Sequence, residues 1–160
     1  MTRMRTAPVR AAGVALGMGL GGLFDGIVFH QILQVHNMLS ARIPTDTLVG
    51  AKVNMAWDGF FHAAVWLLTV LGIALLWRAA ARDDTVRSTR YLLGAMLLGW
   101  GAFNVIEGVI DHHVLHLHHV VEAAGVSAWD VLFLAWGAAM GVVGVVLMRH
   151  GAQSTAHRPD

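Results

Sequence analysis

The sequence predicts an all-α integral membrane protein, a four-helix bundle formed by a single transmembrane domain over residues 1–160. Of the 160 residues, 56% are hydrophobic and only 13% are charged, and the mean hydropathy is +0.60. A soluble domain carries about 25% charged residues. Apolar segments recur four times along the chain, and each reaches the ~20 residues that a helix needs to cross a bilayer. The second half of the chain also repeats polar motifs of the first half.

The predicted helices span about 11–39, 54–77, 91–120 and 128–148. Basic residues precede the first apolar run without a convincing cleavage site after it, so we interpret this region as an uncleaved signal anchor. Glycines recur at four-residue spacing in the first and fourth segments, at Gly13, Gly17 and Gly21 and again at Gly137 and Gly141. Such spacing is typical of helices that pack closely in lipid.

The distribution of basic residues predicts the orientation of the chain. Nine of the eleven arginines and lysines lie in the N-terminus, the middle loop and the tail, whereas Arg42 and Lys52 lie on the other side. Basic loops remain cytoplasmic, so we expect both termini in the cytoplasm. We therefore expect a multi-pass protein of the bacterial inner (cytoplasmic) membrane, with its histidine-rich helix ends facing the periplasm or exterior.

The two halves of the chain resemble each other at an interval of 82 residues. The motif in the first segment comprises Asp25, Gly26, His30, Leu33 and His36, and its counterpart in the third comprises Glu107, Gly108, His112, Leu115 and His118. The second and fourth segments share Ala-Trp-Asp, which aligns Asp58 with Asp130. The sequence thus predicts two tandem helical hairpins, over about 11–77 and 91–148, related by a pseudo-twofold axis along the membrane normal.

Acids and histidines gather toward the outer ends of these helices, where no lysine or arginine lies at the same depth. A carboxylate within the membrane costs about 2.5–3.5 kcal/mol on insertion scales. Because the predicted helices continue through the motifs, we expect Glu107, Asp111 and His118 to share one face, and His112 and His116 to share another. The candidate metal ligands are Asp25, His30, His36, Asp58, His62, Glu107, Asp111, His112, His116 and His118.

A bound cation accounts best for this set of side chains. Carboxylate oxygen and imidazole nitrogen, with no cysteine in the chain, suit transition metals. We expect two ions, iron or copper first, with zinc or manganese as alternatives. Four-helix bundles hold such pairs with acids and histidines that project inward. The catalytic residues stay unassigned.

Three motifs carry a resemblance to a known family. F-D-G-I-V-F-H-Q-I-L-Q-V-H-N-M, W-D-G-F-F-H and N-V-I-E-G-V-I-D-H-H-x-L-x-x-H-H resemble a family of small bacterial predicted membrane proteins, catalogued as a domain of unknown function. The resemblance covers Gly17 to Met148. It implies four transmembrane helices and a shared polar motif, and it implies association with respiratory oxidase assembly or copper-handling proteins. It brings no established activity.

The sequence leaves several functions open. The first is a metal-dependent oxidoreductase with a carboxylate/histidine, dinuclear metal centre near the outer face. The second is capture or delivery of copper or zinc, for example in oxidase assembly, at the cluster His112 to His119. A zinc-dependent membrane hydrolase is also consistent with three histidines and acids that activate water, and a haem b protein ranks last. Partners would be the lipid bilayer and a second copy of the chain. A net charge of +1 does not favour nucleic acid.

Overall fold

The computed structural model of the chain describes residues 4–156 and is built from helices. The four long helices are α1 (Ala7–Asp25), α2 (Leu48–Ala80), α3 (Thr89–Glu107) and α4 (Ala128–Ala156). No β-strand occurs within residues 4–156. All four helices are long and apolar enough to cross a membrane. The predicted all-α class and the four membrane spans are therefore confirmed.

The helices are arranged as a central pair with one helix on each flank. Helices α1 and α3 contact each other, α2 packs on α1, and α4 packs on α3. The flanking helices expose large apolar side chains, including Trp57 and Trp66 on α2 and Trp136 on α4. Apolar surface of this extent is typical of a membrane interface. The polar residues of the central pair are consequently held away from lipid.

Glycines allow the central pair to approach at backbone distance. A Cβ atom at Gly17 would overlap the carbonyl oxygen of Met96, and one at Gly99 would overlap that of Val14. Only glycine fits where two helix backbones are this close. The close packing predicted for the glycines of the first segment thus involves α1 and α3.

The first and third helices end earlier than the sequence predicted. Helix α1 stops at Asp25 and continues as the wider π-helical segment π1 (Gly26–Ile32), and α3 stops at Glu107 and continues as π2 (Gly108–Val114). The amides of Leu33 and Leu115 close these segments by donating to carbonyls five residues back, at 2.8 and 2.7 Å. The predicted limits of 39 and 120 were therefore too late.

Two residues with positive φ explain why these helices stop. Gln34 has φ of 51° and His116 has φ of 47°, a conformation that does not continue a right-handed helix.

The remaining two helices are longer than predicted. Helix α2 begins at Leu48 because the Thr47 side chain accepts a hydrogen bond from the Gly50 amide at 3.0 Å, and α4 continues to Ala156.

Candidate metal centre

The two loops that follow π1 and π2 interlock at the histidine-rich end of the molecule. The Ala41 amide donates to the Leu117 carbonyl at 3.0 Å, and the Glu122 amide donates to the Val35 carbonyl at 3.1 Å. These bonds join residues of the two halves directly. They also carry His36 and His118, one from each loop, back over the ends of the central helices.

Six buried side chains converge beneath these loops. Each of them is at most 5% exposed: Asp25, His30, His36, Glu107, His112 and His118. Ligand atoms within 4.8 Å of one another form three overlapping groups among the described residues. The groups are His30 with His36 and His118, Glu107 with His112 and His118, and Asp25 with His30 and Glu107. Four imidazoles and two carboxylates therefore share one enclosed volume.

The imidazole rings contact one another directly. The His36 and His118 rings stack with their centroids 4.7 Å apart, and the His30 and His36 rings meet edge to face at 4.6 Å. His112 meets His118 edge to face at 4.8 Å. The four rings thus form a continuous cluster.

The Nδ1 atom of each ring faces an acceptor outside the cluster. His36 Nδ1 donates to the Val120 carbonyl at 3.0 Å, and His118 Nδ1 donates to the Met38 carbonyl at 3.2 Å. His30 Nδ1 donates to Asp58 Oδ1 at 2.9 Å. His112 Nδ1 lies 3.3 Å from Asp130 Oδ1. Since carbonyl and carboxylate oxygens only accept, the protons of the bonded rings are on Nδ1.

The other ring nitrogen, Nε2, is left without a hydrogen bond in all four histidines. A neutral imidazole whose Nδ1 carries the proton presents a bare lone pair at Nε2. Burial lowers the pKa of His36 to about 4 and that of His118 to about 3, so both of these loop histidines are neutral near pH 7. Orphaned buried acceptors of this kind are rare unless an ion or water satisfies them.

Asp58 and Asp130 each contact both a histidine of the cluster and a backbone amide of a loop. Asp58 accepts from the Met38 amide at 2.8 Å and from Asn37 Nδ2 at 2.9 Å, in addition to His30. Asp130 accepts from the Val120 amide at 3.0 Å and from the Ser127 amide at 2.9 Å, beside His112. Both oxygens of each carboxylate are therefore engaged. Metal-binding histidines commonly hold such a carboxylate on their far side.

Asp25 and Glu107 lie on the inner side of the cluster and lack such partners. Asp25 Oδ2 is 3.2 Å from His30 Nε2, and Glu107 Oε1 is 3.7 Å from His118 Nε2. Neither Asp25 Oδ2 nor either Glu107 oxygen makes a hydrogen bond. Within residues 4–156, the arginine ion pairs involve only Asp83 and Asp84, at the opposite end. A cation between the two carboxylates would compensate their burial.

The structure places three other predicted ligands outside these groups. His62 Nδ1 donates to the Asp58 carbonyl at 2.7 Å, and its buried Nε2 faces Gly26. Asp111 is half-buried, and His116 is exposed with its ring 6.0 Å from that of His119. The helical wheel misplaced His116 and His118 because the chain leaves the helix before them. His157 lies outside the described residues.

We did not predict from the sequence that Asp58 and Asp130, the acids of the two Ala-Trp-Asp motifs, contact a histidine and a loop. Asp58 was predicted as a ligand, whereas its oxygens are occupied by His30, Asn37 and Met38. Asp130 was aligned with Asp58 in the sequence, but it was left out of the ligand set. The alignment of Asp58 with Asp130 was the signal that could have assigned both residues to the same role.

The fold and the site define a multi-pass membrane protein whose buried histidine, aspartate and glutamate clusters could hold a metal ion. The chain belongs to the family described as predicted membrane protein (DUF2243), whose profile matches residues 12–151. Comparisons with curated proteins and with solved structures found no match.

Proposed function

We propose that the protein is a metal-dependent oxidoreductase of the bacterial inner membrane, with a dinuclear centre near the periplasmic face. The observation that supports this most strongly is the convergence of four imidazole Nε2 atoms, Asp25 Oδ2 and both Glu107 carboxylate oxygens, all buried and without a hydrogen bond. Six such side chains exceed the four ligands of a structural zinc site. Two ions that share the carboxylates would use all of them.

The proposed ligands are the six buried side chains of the cluster: Asp25, His30, His36, Glu107, His112 and His118. Asp58 and Asp130 would orient His30 and His112 from behind. Imidazole and carboxylate donors suit iron, copper, zinc and manganese, and an oxidoreductase needs one of the redox-active metals among them. We therefore favour iron or copper, and two ions for each chain.

The paired contacts of the two loops support the interpretation of the chain as two repeats. His36 binds the Val120 carbonyl and His118 binds the Met38 carbonyl, and these four residues correspond to one another at the interval of 82. Met38 and Val120 also donate their amides to Asp58 and Asp130. Each half would thus supply equivalent ligands to a site on the pseudo-twofold axis.

Capture or delivery of copper or zinc is the second candidate. The observation that favours it is the exposed His116, with the His119 ring beside it, at the same end as the cluster. The exposed His116 ring offers nitrogen donors to a passing ion, whereas His119 is buried with its Nδ1 atom 3.6 Å from Asp130 Oδ2. Burial of all six proposed ligands instead favours a retained cofactor. The direct ring contacts disfavour haem, because centroid distances of 4.6 Å between His30 and His36 and 4.7 Å between His36 and His118 leave no space for a porphyrin between these rings.

Redox titration of the metal-loaded protein distinguishes these functions. The chain would be reconstituted separately with iron, copper and zinc, and its optical and paramagnetic spectra recorded after anaerobic reduction and after readmission of oxygen. We expect a centre that cycles between two states with iron or copper, and that is absent in His36→Ala. His150→Ala, at an exposed histidine on α4, is the matched control. Zinc held firmly while iron and copper exchange freely would contradict the oxidoreductase.

A further inference from the structure

A small cavity connects the lipid-facing surface with the proposed metal centre. It lies between the ends of α1, α3 and α4, and its volume is about 110 Å³. Phe24 and Trp136 are at its rim and are 48% and 63% exposed. An exposed rim on membrane-spanning helices opens toward lipid, so a molecule would enter from the bilayer.

The walls of the cavity are aromatic. Phe24 and Trp100 lie 5.3 Å apart and belong to α1 and α3. Phe29 comes from π1, and Phe133 is contributed by α4. Aromatic side chains bind flat rings by stacked or edge-to-face contacts.

The inner end of the cavity is polar and adjoins the cluster. Asp25 and Asn104 line it and are each 4% exposed. Asp25 Oδ2 lacks a hydrogen bond and is 3.2 Å from His30 Nε2. The walls also contact the imidazoles, because Phe29 stacks on His36 at 6.1 Å and Phe133 lies 5.3 Å from His112.

We propose that this cavity binds the ring of a membrane-dissolved hydroquinone, with a ring hydroxyl directed at Asp25. A lipid-facing entrance selects a lipid-soluble ligand, aromatic walls select a flat ring, and the buried carboxylate accepts a hydroxyl hydrogen bond. An engineered cavity of about 150 Å³ holds benzene, so a cavity of about 110 Å³ encloses most of one ring, and its open rim leaves the rest of the ligand in lipid. This inference rests on the proposed function, because the bound ring would lie beside the side chains that are proposed to bind metal.

The experiment is photoaffinity labelling of the protein in quinone-free vesicles with an azido-substituted short-chain quinone, followed by peptide mapping. We expect saturable labelling of the segments that contain Phe24, Phe29 and Phe133, and competition by unlabelled short-chain hydroquinone. A dimethoxy analogue of the competitor has the same ring but no hydroxyl. Loss of a hydrogen bond to a charged group should weaken its competition by about tenfold or more.

Two variants separate binding from folding. Gly21→Leu fills the cavity, because a Cβ there already meets the Trp100 ring, and Gly59→Leu is its control on open surface of α2. We expect labelling to be lost only in Gly21→Leu; if that variant does not fold, Phe133→Leu should weaken saturable labelling. Unsaturable label along all four helices, equal competition by the dimethoxy analogue, or full labelling of Gly21→Leu or of Phe133→Leu would overturn the proposal.

Metal content measured on the same samples distinguishes the two failures. Metal retained without saturable labelling would overturn the cavity inference and leave the proposed centre intact. Saturable labelling in a protein that binds no metal would support the hydroquinone site and overturn the metal centre.

Discussion

Each histidine of the cluster is oriented by its own contact at Nδ1. His36 and His118 use backbone carbonyls, and His30 uses a carboxylate. The Nε2 atoms of His36, His112 and His118 make no hydrogen bond, and that of His30 lies 3.2 Å from Asp25 Oδ2. An imidazole held in one tautomer and one orientation is already arranged for metal binding.

Asp58→Asn should weaken metal binding without removing a ligand. The asparagine amide lacks the negative charge that Asp58 places beside His30 Nδ1. Changes behind a metal-binding histidine cost about 10–100-fold in metal affinity. Competition with a chelator, followed by elemental analysis, measures the loss. Asp84→Asn replaces a half-buried acid at the opposite end and should leave the affinity unchanged. Equal affinities in the two variants would argue against the role given to Asp58.

His36→Ala and His62→Ala should differ sharply in metal content. His36 belongs to the cluster, whereas the Nε2 atom of His62 faces Gly26. The sequence predicted both as ligands, and the structure separates them. We expect metal to be lost in the first variant and retained in the second, as read by elemental analysis of folded protein. Loss in both variants would restore His62 to the site.

At the scale of helices, the close contact of α1 and α3 determines whether ligands from the two halves can meet. Asp25 is the last residue of α1 and His30 lies in π1, and Glu107 is the last residue of α3 and His112 lies in π2. Separation of the two helices would move the carboxylates apart. π-Helical turns are often found at functional sites, and here they precede the residues with positive φ that turn each loop back.

Gly17→Ala should destabilise the protein, because its Cβ would overlap the Met96 carbonyl oxygen. Overpacking of a tight interface typically costs about 1–3 kcal/mol. Thermal unfolding in detergent should therefore show a lower midpoint. Gly59→Ala is the matched control, since a Cβ there meets nothing within 4 Å. Identical midpoints would show that the backbones do not approach as closely as described.

Sequence patterns predicted the helices better than they predicted the loops. Hydropathy alone identified four spans, and the cost of buried carboxylates identified Asp25 and Glu107. The ends of α1 and α3 could not be predicted, because nothing in the composition marks Gln34 or His116 for positive φ. Once the helix stops, residues such as His118 no longer follow helical spacing, and only tertiary contacts place them.

At the scale of the whole molecule, orientation determines which compartment would exchange metal with the proposed site. The histidine-rich end carries the loop that contains Thr45, and the arginine-rich end carries the loop that contains Ala81. Because the chain has no cysteine, single cysteines can report on either side. Thr45→Cys should react with a membrane-impermeant maleimide in intact cells, and Ala81→Cys should react only after lysis. The opposite pattern would place the centre toward the cytoplasm.

The central claim, a dinuclear metal centre between the two halves, is tested most directly by elemental analysis of the detergent-purified protein beside Glu107→Gln. The variant keeps the shape of the side chain and replaces one carboxylate oxygen, a ligand atom in the proposed centre, with an amide nitrogen that cannot bind metal in the same way. We expect about two ions of iron or copper for each chain, as a site with six ligands requires, and loss of at least one in the variant. No metal in either protein, or equal content in both, would contradict the account.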